Sequence, residues 1–213
     1  VIVERACERT MMSGFHGLFS VGGLLRALGV SSLLALGLSP EIASVLVAAL
    51  LVLSCSLALP GLLMGQTNSE ESASFVLPHG VVLTIGIMCF IVFLTEGSAI
   101  DWSAVFLATA RHVDMRYTGL GYVAFASTMT VGRLLGDHLV SRISGRLLVT
   151  GGSLLSAVGM FLIAVVPIWQ LTLFGYALVG AGCANVVPIL YSAVGRQHYM
   201  PEHLAISAIT TLG

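Results

Sequence analysis

The 213 residues are 57% hydrophobic and only 9% charged, with a mean hydropathy of +1.00, whereas a water-soluble domain carries about 25% charged residues; most of the surface therefore does not face water. A net charge of −1, with no lysine anywhere in the chain, leaves no basic field and excludes nucleic acid as a partner. Cys7, Cys55, Cys89 and Cys183 form no CxxC pair and three of them lie in apolar runs, so they read as small buried hydrophobes rather than disulfides or metal ligands.

Residues 1–10 (VIVERACERT) alternate acids and arginines and form a polar approach to the membrane. The first crossing runs over about 11–37 and closes at the turn signal Leu38-Ser39-Pro40-Glu41; the second, 42–65, is Val, Leu and Ala with no charge. A polar linker at 66–79 (QTNSEESASFVLPH) is the one composition shift that suggests a boundary. The third crossing, 79–108, is followed by a charged loop at 111–116, the fourth covers 118–137, and an arginine-bearing loop at 138–146 leads to the fifth at 147–166. Pro167-Ile168-Trp169-Gln170 reverses the chain into the sixth, 171–194; residues 195–203 are polar, and a seventh helix starts near Leu204. Each span has roughly the 20 residues that cross about 30 Å of hydrocarbon. Unpaired backbone is not tolerated there and the pattern does not alternate, so these are helices rather than barrel strands.

The expected fold is therefore an all-α polytopic membrane bundle with about six full transmembrane helices and the start of a seventh. The chain begins with Val1, carries no signal-peptide pattern and ends as another helix begins, which reads as a piece of a larger membrane protein. If the spans alternate in direction, 1–10, 66–79, 138–146 and 195–203 share one side. That side holds Arg5, Arg9, Arg142, Arg146 and Arg196 against Arg111 and Arg116 on the other, which makes it cytoplasmic.

Carboxylates at membrane depth are costly, roughly 2.5–3.5 kcal/mol each by insertion scales, and normally face a protein interior or a wet cavity. Glu96 and Asp101 both lie in the third span, five residues and about 140° apart on a helix. Glu96 reads either as a proton or substrate-hydroxyl site or as a structural carboxylate paired to an arginine. Asp101 is placed near the water interface beside Trp102 as anchor. In the sixth span Asn185, Pro188 and Ser192 share a helix face with Tyr191 beside them, and Pro188 frees the carbonyl near residue 184, which gives either an exposed backbone site or a packing kink. His16 and Ser20 lie one turn apart in the first span; His16 is a proton-relay candidate or a satisfied structural group. Arg26, mid-span, needs to snorkel or find a carboxylate, with Glu96 one choice. Thr128, Gly132 and Gly136 form a small-xxx-small face. No Gly-x-Ser-x-Gly elbow, HExxH or P-loop spacing is present, so no enzyme, metal or cofactor reading has a constellation behind it.

GRLLGDHLVSRISGR (132–146) resembles the signature loop of the major facilitator superfamily, matched by Gly132-Arg133, Asp137 and Gly145-Arg146, with glycine one residue further from the aspartate than usual and His138 in place of an arginine. FHGLFSVGGL (15–24), EGSAIDWSAVFL (96–107) and ANVVPILYSAVG (184–195) extend the likeness to the branch around the fucose permeases. The resemblance implies helices five to ten of twelve with the eleventh begun. Residues 1–65 would end the first six-helix half, 66–79 would be the cytoplasmic connection, and 80–213 would form most of the second half. It further implies a secondary transporter of the bacterial inner membrane moving a small polar solute, a sugar or related metabolite, by alternating access. Its partners would be the solute, the bilayer and, left open, a coupled proton. Glu96, Asp101, Asn185, Tyr191 and His16 are the cavity candidates, Pro188 the kink. Gly132, Arg133, Gly136, Asp137, Arg142 and Arg146 are assigned to the gate, Asp137 pairing with Arg133, Arg142 or Arg146. An exporter of drugs or metabolites and a non-transporting sensor or assembly subunit are the alternatives.

Overall fold

A computed structural model describes residues 12–61, 79–197 and 200–212, and every regular element among them is helical. In chain order these are α1 (Met12–Ala35), α2 (Pro40–Ala58) with a 3-10 turn at Leu59–Gly61, α3 (Val81–Ala110), α4 (Leu120–Arg142), α5 (Gly145–Val165), α6 (Trp169–Cys183), α7 (Val186–Val194) and α8 (Glu202–Leu212). The polar approach at 1–10, the linker up to residue 78, positions 198–199 and the side chain of Arg26 lie outside the described residues. Within the described residues each of the six expected crossings coincides with helix, and the sixth is divided between α6 and α7.

Four of these helices are long and apolar enough to cross a membrane: Glu41–Ala58, Val81–Ala110, Gly145–Val165 and Trp169–Val194 taken together. α4 has the length, at 23 residues, but carries Arg133, Asp137 and Arg142, which lower its mean hydropathy. The chain is an all-α multi-pass membrane protein. Hydroxyls on its outer faces are satisfied within their own helices: Ser56 donates to the Val52 carbonyl, Thr95 to Ile91, Ser98 to Leu94, Thr109 to Val105 and Thr150 to Arg146, at 2.7–2.9 Å.

The chain divides into two compact units, residues 21–75 and residues 1–20 with 76–213. In the first, α2 starts where Ser39 Oγ accepts from the Ile42 N–H (3.4 Å), with Pro40 in the first turn and Glu41 beside the positive end of the helix. Its apolar side chains are almost all uncovered, Leu50, Leu51, Val52 and Leu53 each more than half exposed; a helix apolar all round is a membrane span. Cys55 is exposed on it, against the expectation of burial, while Cys89 and Cys183 are buried as expected. The sequence pattern identifies an apolar environment but does not distinguish lipid from protein.

In the second unit α6 is the central strut, packed on α4 and on α5. Glycine allows this close approach. Gly159 and Gly175 face each other so tightly that a Cβ on either would stand 2.6–2.8 Å from the other's carbonyl oxygen, and a Cβ on Gly180 would overlap the Phe125 carbonyl and Thr128 Oγ1. Thr128 also donates to the Ala177 carbonyl at 2.8 Å, so the small-xxx-small face of α4 lies on α6.

At the far end, the chain turns after α3 through His112, in the left-handed region at φ 51°, and Asp114 clasps Arg116 through its backbone N–H, Nε and Nη2 at 2.9–3.1 Å. These bonds hold the Asp114 carboxyl below the usual carboxylate range. The clasp is therefore complete at neutral pH and is lost as pH falls through that lowered value. Arg111 joins three helices. It lies 4.7 Å over the Phe106 ring, donates to the Ile163 carbonyl (2.7 Å) and the Ala164 carbonyl (3.3 Å) at the negative end of α5, and reaches Thr172 Oγ1 on α6 (3.4 Å). Arg111→Ala is expected to destabilise the detergent-solubilised protein by about 1.5–3 kcal/mol, and Arg111→Lys, which has no second nitrogen for Thr172 Oγ1 while it serves the α5 carbonyls, by about half as much. Thermal unfolding measures the loss, and faster amide exchange should be confined to the α5–α6 turn.

Candidate functional site

Glu96, near the middle of α3, and Arg133, in α4, are the charged side chains that the structure buries together, at 8% and 5% exposure. Arg133 Nη2 donates to both carboxylate oxygens of Glu96 at 3.1 Å. Arg133 Nη1 donates to Ser20 Oγ on α1 at 2.8 Å, and Ser20 in turn donates to the His16 carbonyl at 3.1 Å. α1 can lie that close because Gly17 has no side chain: a Cβ there would be 3.0 Å from Leu134 Cδ2 and 3.4 Å from its backbone nitrogen.

The residue before Arg133 makes the next link. Gly132 lies against the junction of α6 and α7, where a Cβ would come within 2.6 Å of that of Ala184. Its carbonyl, already used along α4, also accepts from Asn185 Nδ2 at 2.9 Å. Asn185 precedes the first turn of α7 but does not cap it; its amide is turned onto α4 instead. Pro188 sits within the first turn of α7, where a missing N–H goes unused, so the chain accommodates it by ending α6 at Cys183 and restarting. Beyond it, the Tyr191 ring is 6.4 Å from that of His16 at 56°, within the range of tilted aromatic contacts, and the Tyr191 hydroxyl is 3.4 Å from Thr210 Oγ1 on α8.

Three buried polar atoms among the described residues have no partner: Arg133 Nε, Asn185 Oδ1 and Ser103 Oγ. The first two belong to this network. Ser103 is seven residues from Glu96, about 10 Å along α3, where it packs against Gly121.

Four of the five cavity candidates thus come together: Glu96, Asn185, Tyr191 and His16 are joined through Arg133, Ser20 and Gly132. Asp101 does not join them; it is exposed on α3, the 140° turn from Glu96 having carried it to the outer face. Arg133, assigned by resemblance to the gate, gives its described bonds to Glu96 and Ser20 instead. It sits nine residues before the end of α4 at Arg142, inside the bundle rather than in the loop. Gly136 is buried, Asp137 is half-buried one turn beyond Arg133, and Arg142 and Arg146 are exposed where α4 ends and α5 begins. Among the described residues no three His, Cys, Asp or Glu side chains converge as a metal would require.

No family model matches the chain, and no solved structure does. An uncharacterised MFS-type transporter of Yersinia pestis is 47% identical over all 213 residues and over 56% of its own length. The chain belongs to the major facilitator superfamily. An uncharacterised transporter of Sinorhizobium fredii is 29% identical over 97% of the chain and 55% of its own length, and the membrane protein MosC of Rhizobium meliloti 31% identical over 62% of the chain and 32% of its own. The chain spans about half the length of the first two of these relatives. Within this superfamily member, the motif at 132–146 has its start inside the bundle, where Gly132 and Arg133 hold the network, and its end at the surface.

The pairing of Glu96 with Arg133 was missed, although one signal was available. Glu96 lies 14 residues before the end of α3 at Ala110, and Arg133 lies 13 residues after the start of α4 at Leu120. In two helices joined by a short loop, equal distances from the loop mean equal depth in the membrane, and two opposite charges at equal depth are each other's natural partners.

Proposed function

We propose that the chain is part of a secondary transporter that moves a small polar solute across the bacterial inner membrane by alternating access. The observation that carries this reading is the buried Glu96–Arg133 pair, extended by Ser20, His16, Asn185 and Tyr191, in the interior of apolar helices. An ion pair at membrane depth costs desolvation that a purely structural bundle avoids by using apolar residues. The interruption of the sixth span at Ala184–Asn185, beside this network, supports the reading, since transporters build binding sites at breaks in their helices. The resemblance to sugar permeases adds a sugar or related metabolite as the solute. The excess of arginines at 1–10, 138–146 and 195–203 supports a cytoplasmic side for those segments together with 66–79, read as the connection between halves at 1–65 and 80–213. Asp137, with Arg142 and Arg146, remains the proposed cytoplasmic gate.

Flux measured in liposomes holding the full-length protein tests this. Glu96→Gln and Asp137→Asn should each reduce uptake at least tenfold while the protein still inserts and runs as a single species in detergent. Undiminished uptake with Glu96→Gln removes the network from the transport path. Absence of flux for every solute class removes the transporter reading itself.

A further inference from the structure

The interior of the network offers a solute little to touch: Glu96, Arg133 and Asn185 are each more than nine-tenths buried. Polar groups reach its surface at the other end, where Tyr191 of α7 is half-exposed and Thr210 of α8 is exposed. Nothing in its sequence context marks Thr210 as a member of a site. α8 packs on α3 and α7, with Ala205 and Ile209 fully buried, and these two side chains fix its rotation. Thr210, one residue and about 100° past Ile209, leaves the core and comes within 3.4 Å of the Tyr191 hydroxyl.

A second bond sets the direction of that contact. Thr210 Oγ1 has one proton, and it is donated to the Ile206 carbonyl at 2.9 Å. Thr210 can therefore only accept from Tyr191, and the proton between them belongs to the phenol. The Tyr191 oxygen keeps its lone pairs, and nothing else, for a further partner. On its other side the ring is 6.4 Å from that of His16. At 3.4 Å the hydroxyl contact is long for its kind, so it orients the phenol proton without tying the helices together.

We propose that the Tyr191 oxygen is a solute contact that acts only as an acceptor, and that Thr210 is the positioning residue that makes it so. This rests on the transporter reading above. A solute that meets the network here presents an O–H or N–H to Tyr191. An ether oxygen or a carboxylate would set lone pairs against lone pairs and is disfavoured. The Glu96–Arg133 pair lies behind this contact, connected to it through Ser20 and His16.

Flux into liposomes holding the full-length protein is measured first with labelled glucose, myo-inositol, alanine, lactate and uridine, and the compounds carried become the probes. Methylated derivatives of a carried probe, with one O–H or N–H blocked at a time, keep the acceptor and lose the proton. For the native protein at least one derivative should need about tenfold more for half-saturation. That difference should vanish in Tyr191→Phe, where a purely steric effect of the methyl group would persist. Tyr191→Phe should itself raise half-saturation by the parent probe about tenfold, with the maximal rate within about twofold of native. Thr210→Val should raise half-saturation about threefold or more, and Thr210→Ser should restore it. The double variant Tyr191→Phe with Thr210→Val should be no worse than Tyr191→Phe alone, because Thr210 acts through the phenol. Each variant is compared as a single folded species in detergent. Thr210→Val without effect, a double variant worse by the product of the single effects, or derivatives carried as well as their parent overturn this proposal and leave the transporter reading standing. No flux of any of these compounds overturns both.

Discussion

Arg133→Met is expected to be the most damaging single substitution in this protein, lowering stability by about 3–5 kcal/mol, because it strands the Glu96 carboxylate in the interior with no cation. Ser20 would lose its donor at the same time, and with it the tie between α1 and α4. The paired change Glu96→Met with Arg133→Met removes both charges and should restore most of the stability, since a buried ion pair exchanged for apolar groups of similar size is often neutral or better. Transport should not return with it. Thermal unfolding and flux on the same three preparations separate the two roles: recovery of both would mean that the pair is only structural, and recovery of neither that the apolar pair does not fit the site.

Gly180→Leu is the second large effect. The added side chain would overlap the Phe125 carbonyl and Thr128 Oγ1, on the face where Thr128 bonds to the Ala177 carbonyl, so α4 and α6 would have to part. Overpacking of this kind costs about 1–3 kcal/mol or more. Because α6 also carries the junction at Ala184–Asn185, the Asn185 bond to Gly132 should be disturbed and transport should fall with stability. Gly151→Ala is the control: a Cβ there meets nothing within 4 Å, and the exchange should be neutral or slightly stabilising, by up to about 1 kcal/mol from helix propensity.

How far the sequence carried this architecture depends on which physical rule was local. Long apolar runs bounded by Leu38-Ser39-Pro40-Glu41 and Pro167-Ile168-Trp169-Gln170 located the helices, because membrane thickness and backbone satisfaction act on each run separately. The angle between Glu96 and Asp101 separated the buried carboxylate from the exposed one by helix geometry alone. Pairing is different. Which arginine Glu96 meets depends on how helices stack, and the family loop pattern drew Arg133 toward the surface although its depth matched Glu96. Arg111 was legible only as a loop charge, since its targets are carbonyls of α5, which have no distinctive side chains. Asn185 was legible as a polar residue beside a proline, but its use of the Gly132 carbonyl depends on a contact made possible by a missing Cβ fifty-three residues earlier.

The self-satisfied serines and threonines on the outer faces of α2, α3 and α5 have a bearing on how such chains are recognised. Each side-chain proton is donated one turn back along its own backbone, so the surrounding acyl chains meet little more than a methyl-sized bump. Scales that score these residues as water-seeking will understate the true greasiness of those spans. Exchanging Ser98 or Thr109 for alanine should pass almost unnoticed by the bilayer.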